Sequence, residues 1–69
     1  MTKLGKGFTA EKENQCITLY KFGSLIKRVD ISEAIQRRLF IVELVLEFGL
    51  PIANVANALQ ISRQSIYNI

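Results

Sequence analysis

The stretch from Pro51 to Ile69 constrains this chain most, because its pattern reads as two short helices joined by a tight turn. Pro51 suits the first turn of a helix, where its missing N–H removes no bond. Ile52, Val55, Ala56 and Leu59 then recur at helical spacing, so they predict one buried face over residues 51–58, with Asn54 and Asn57 pointing out. Gln60-Ile61 makes a turn too short to let the chain straighten. Ser62 is a natural N-cap for a further helix over 62–69, with Ile66 and Ile69 as its core contacts. Two helices joined so tightly must cross closely, and the small Ala56 provides the space where they meet.

A third helix precedes this pair. Asp30-Ile31-Ser32-Glu33 has the spacing of a capping box, and Gly49 is a standard residue just past a helix end, so a helix is expected over 32–48. On it Glu33, Gln36, Arg37, Glu43 and Glu47 share one face, and apolar residues cover most of the rest. Phe40 and Leu44 fall inside the polar sector. A helix apolar nearly all round needs cover on more than one side, from the hairpin, the later helices or a second copy.

Upstream, residues 15–31 read as a β-hairpin around a two-residue Gly23-Ser24 turn. Pairing outward from it sets Phe22 opposite Leu25, Tyr20 opposite Lys27 and Thr18 opposite Val29. Cys16 and Ile31 complete that apolar face, and Ile17 and Leu19 lie on the mixed one. A helix over Thr9 to Lys21 is the rival reading. Residues 1–14 are polar with two glycines and are expected to be a flexible start. The expected fold is therefore mostly α, a three-helix bundle preceded by a small hairpin.

Composition narrows the function. In 69 residues there is one Cys and no His, which excludes an internal disulfide framework and a Cys/His zinc site. Cys16 reads as a small buried hydrophobe, and an unpaired thiol suits a reducing cytoplasm. No apolar run reaches membrane-spanning length. The acids are scattered, and no nucleophile stands beside a base, so neither an enzyme, a metal, a cofactor nor a small-molecule substrate is expected. Net charge is +3. Lys21, Lys27, Arg28, Arg37 and Arg38 stand against only Asp30 and Glu33 between residues 21 and 38, a local tilt toward polyanions.

The outward residues of the last helix supply the chemistry such a partner needs. Arg bonds guanine bidentately, and Gln or Asn bonds adenine. Arg63, Gln64 and Asn68 are therefore the candidate base readers. Ser62, Ser65, Tyr67, Lys27, Arg28, Arg37 and Arg38 are candidates for phosphate contacts, which position a protein without reading sequence. The layout is that of a DNA-binding helix-turn-helix with its second helix as reader. Residue 60 is commonly Gly in such turns, and Gln there takes a left-handed backbone at some strain.

Residues 37–69, from Arg-Arg-Leu-Phe-Ile-Val-Glu-Leu-Val through Ile-Ser-Arg-Gln-Ser-Ile-Tyr-Asn, resemble the homeodomain-like helix-turn-helix of bacterial transposases. The resemblance covers about half the chain. It implies an amino-terminal domain that binds transposon-end DNA while a separate downstream domain cuts and joins it. The same motif serves transcription regulators of phages and mobile elements. A protein–protein module that dimerises through the apolar helix is a third reading. Double-stranded DNA is the expected partner, and a second copy of the chain is a further candidate.

Overall fold

The computed structural model describes residues 1–68. It corrects the mostly α expectation: helices take 40% of the described residues and strands 34%. Four strands form an antiparallel meander, β1 (Thr2–Gly5), β2 (Phe8–Glu13), β3 (Cys16–Lys21) and β4 (Ser24–Asp30), in that spatial order. Helix α1 (Ala34–Val42) runs directly into a π-helical turn, Glu43–Glu47, and is followed by α2 (Ile52–Leu59) and α3 (Arg63–Tyr67). Together the helices cover one face of the sheet.

The expected flexible start is two strands. Leu4 on β1, and Phe8 and Ala10 on β2, are all buried, with less buried residues between them. That is the period-2 alternation of a half-buried sheet. Lys6-Gly7 turns β1 into β2, and the Cβ of any other residue at Gly7 would run into the Phe22 ring. The Phe22 ring is exposed and free to swing aside, so it is the positive φ of 82° that favours glycine there. The Asn54 side-chain amide on α2 donates to the Leu4 carbonyl at 3.1 Å and ties the first strand to the helical layer.

The hairpin expected over 15–31 is present, but its register differs by one residue. The turn is Phe22-Gly23, not Gly23-Ser24, with Lys21 opposite Ser24. Both turn residues have positive φ (50° and 84°), the twist that matches a two-residue hairpin. A slip of one residue turns every side chain over. Ile17 and Leu19, expected on the mixed face, are fully buried, whereas Phe22 and Leu25 are exposed. Ile26 is an extra residue on β4, since Tyr20 pairs with Leu25 and Leu19 with Lys27. The rival helix over residues 9–21 is absent.

Helix α1 starts later than expected, and Phe40 and Leu44, in its polar sector, are covered as their position required. Asp30 does not cap it. Its Oδ1 accepts from the Ser32 backbone N–H at 2.9 Å and from the Ser32 hydroxyl at 2.7 Å, closing a turn at the end of β4. Those two bonds hold the Asp30 carboxyl below the ordinary carboxylate range, the hydroxyl bond contributing most. Phe40, Ile41 and Leu44 face the sheet, while Ile35, Leu39 and Leu46 face outward. The polar sector lies over the rim of the sheet because its charges find partners there. Lys27 Nζ on β4 donates to Glu43 Oε1 at 2.6 Å and sits 5.9 Å from the centre of the Phe40 ring. Arg37 donates to the Ile31 carbonyl at 3.2 Å. Phe8 and Phe48 stack with ring centres 4.7 Å apart, joining sheet to helix end. Gly49, at φ 65°, ends the helical run as expected, and the Leu50 N–H returns to the Leu44 carbonyl at 3.0 Å.

Candidate nucleic-acid interface

The α2–α3 pair follows the spacing read from the sequence. Val55, Ala56, Ala58 and Leu59 bury one face of α2. Gln60 takes the left-handed conformation at φ 59°, ψ 43°, and the Ile61 N–H reaches back to the Ala56 carbonyl at 3.0 Å. This closes the end of α2 and redirects the chain within two residues. Ser62 then caps α3: its Oγ accepts from the Ser65 N–H at 3.2 Å. Ile66 is buried between the helices. The expected core contact of Ile69 lies outside the described residues, and α3 is shorter than the 62–69 expected.

Arg63, Gln64 and Asn68, the candidate base readers, are all exposed. Gln64 Nε2 donates to Asn68 Oδ1 at 3.2 Å, so the two amides lie side by side on one face of α3. The Ser62 and Ser65 hydroxyls are 3.0 Å apart at the start of the helix. Next to them, Arg37, Arg38, Ile41, Ile61, Ser65 and Asn68 line one open cleft of about 470 Å³ between α1 and α3. No acidic side chain lines it. Arg37 keeps four of its five N–H donors after the bond to Ile31. Arg38 is exposed at the lip.

The remaining candidates lie elsewhere. Lys27 and Arg28 line a separate groove of about 760 Å³ with Glu33, Glu43 and Glu47, and Lys27 is already paired with Glu43. Tyr67 lines a third, mainly apolar cleft with Val42, Leu46 and Ile52. The seven phosphate candidates therefore divide. Arg37, Arg38, Ser62 and Ser65 are brought to the reading side, whereas Lys27 and Arg28 share a groove with acids.

Asn54, expected to point out freely, holds β1 instead. Ile41 and Ile61, the floor of the basic cleft, had no functional signal in the sequence beyond being apolar. Among the described residues, no three His, Cys, Asp or Glu side chains gather at metal-binding distance. Cys16 is half-buried and unbonded rather than fully buried. No helix among them is long and apolar enough to cross a membrane. Comparison of the chain with models of known families, with curated proteins and with solved structures gives no match.

Proposed function

We propose that this chain binds double-stranded DNA, with α3 entering the major groove and the Arg37–Arg38 end of α1 resting on the adjoining phosphates. One observation carries the reading. Two arginines from α1 and two polar residues from α3 share a cleft with no acidic lining residue, directly beside exposed Arg63 and Gln64. Cations distant in sequence beside a row of amide and guanidinium donors make one surface that suits both phosphate and base edges. Arg63 and Gln64 occupy the first turn of α3, the part that reaches base edges in a helix-turn-helix. Asn68 lies one turn further along the same face.

On this reading, and on the resemblance of residues 37–69 to transposase domains, the DNA is a transposon end and the chain is the recognition part of a recombining enzyme. Fluorescence anisotropy with a labelled random duplex tests the general reading. Arg37, Arg38 and Arg63 are the cations on this side. With about three phosphates neutralised, log K should fall against log salt with a slope of about −2.7. Absence of binding at low salt overturns the proposal. Selection of bound fragments from DNA carrying the mobile element then tests the finer reading, and enrichment of promoter DNA instead of element ends assigns the chain to regulation.

A further inference from the structure

Ile35, Leu39, Val42 and Leu46 form an apolar stripe along α1 and its π-helical continuation, each side chain 38–75% exposed. They lie away from Phe40 and Leu44, which pack on the sheet: Ile35, Leu39 and Val42 edge the groove beside β4, Val42 and Leu46 edge the cleft with Tyr67, and among the described residues none closes over Ile35, Leu39 or Leu46. Their spacing of four, three and four residues is that of a seam between two helices lying side by side. We propose that this stripe is the interface of a homodimer, in which the α1 helices of two copies pack in parallel about a two-fold axis running along them.

The charges beside the stripe choose both occupant and direction. Arg38 immediately precedes Leu39 on one flank, and Glu43 immediately follows Val42 on the other. In a parallel pair, opposite flanks of the two helices meet, and the contacts run between positions five residues apart. Arg38 of each copy then faces Glu43 of the other, twice by symmetry. In an antiparallel pair, like flanks meet, which sets Arg38 toward Val45 and Glu43 toward Gln36 of the other copy and leaves both charges without an opposite partner across the seam. Lys27, 2.6 Å from the Glu43 carboxylate, fixes that carboxylate on its flank from within the same copy.

The size of the surface sets the strength. The four side chains, with exposed Tyr67 beside Leu46, offer roughly 500–600 Å² per copy, below the ~800 Å² per partner of a standard stable interface. A surface of this size suits a reversible dimer. The π-helical turn changes the pitch after Val42. The close seam thus runs over Ile35, Leu39 and Val42, and Leu46 widens it toward Tyr67, with which it shares an apolar cleft.

Sedimentation equilibrium of the full chain without DNA tests the proposal independently of the DNA-binding reading. Association that rises with concentration is expected, weakened at least tenfold by Leu39→Asp, with an unchanged circular dichroism spectrum because Leu39 is exposed. Direction is read by cross-linking in a Cys16→Ala background with oxidised glutathione. In the parallel dimer Val42→Cys meets its own copy and closes a disulfide. A wild-type chain that stays monomeric at millimolar concentration overturns the proposal. So does preferential cross-linking of Leu39→Cys to Val42→Cys in a mixture of the two variants, which is the antiparallel outcome.

Discussion

Leu44 and Leu46 stand two residues apart in the same π-helical turn and have opposite environments. Leu44 is fully buried against the sheet, and Leu46 is 75% exposed. Leu44→Ala removes three heavy atoms from the centre of the core and leaves a cavity that the sheet and α2 close only partly. A loss of about 3 kcal/mol is expected, within the range of buried leucine truncations. A domain of this length has a stability of roughly 3–10 kcal/mol, so the variant is near its unfolding threshold. With a urea dependence of about 1 kcal/mol per molar, the midpoint should fall by about 3 M. Leu46→Ala removes the same atoms from a surface position and should change stability by less than about 0.5 kcal/mol. Urea titrations followed by far-UV circular dichroism at low micromolar concentration compare the two directly. Equal losses at both positions, or a larger loss at Leu46, would refute the orientation of α1 and with it the assignment of the exposed stripe.

Arg63→Ala and Gln64→Ala should each weaken binding to a selected duplex by about 1–3 kcal/mol without lowering the melting temperature, whereas Arg28→Ala, beside acids in the other groove, should leave binding nearly unchanged. Reversal of that order in anisotropy titrations would move the reading surface to the sheet side. Asp30 holds its proton less firmly in the folded chain than the ordinary value of 3.8, so its contribution to stability is complete above that pH and is lost as pH falls through its lowered value. Ser32→Ala should raise the Asp30 carboxyl back toward the ordinary range in an NMR titration. Gln60→Gly should raise stability by about 0.5 kcal/mol, because relief of the left-handed strain outweighs the added freedom of the unfolded chain. A fall in the melting temperature of that variant would show the Gln60 side chain to be stabilising in its own right.

Features decided within one helical turn were legible in the residues alone. Ser62 caps α3, Gly49 ends the run from α1, Gln60 takes the left-handed turn, and Ala56 and Ile66 face inward, because each settles the backbone bonds or packing of its immediate neighbours. The existence of the β3–β4 hairpin was legible for the same reason. Its register was not. Gly23 permits a turn with either neighbour, and only the cover of Ile17 and Leu19 by the helices separates two pairings that differ by one residue. Residues 1–14 look like a flexible start because their strands gain stability only once β3 lies beside them and α2 across them. The need to cover Phe40 and Leu44 was legible, because apolar residues inside a polar sector require it, but which element covers them was not. The sheet does so, and its rim supplies Lys27 to Glu43 and the Ile31 carbonyl to Arg37, so the polar sector docks there. The candidate interface divides along the same line. The reading residues of α3 follow from local spacing, while the meeting of Arg37 and Arg38 with Ser65 and Asn68, and the diversion of Lys27 and Arg28 to another groove, depend on how α1 docks. Caps and tight turns are settled by hydrogen bonds between near neighbours. Register and helix rotation are settled by burial against partners tens of residues away, whose positions no local pattern encodes.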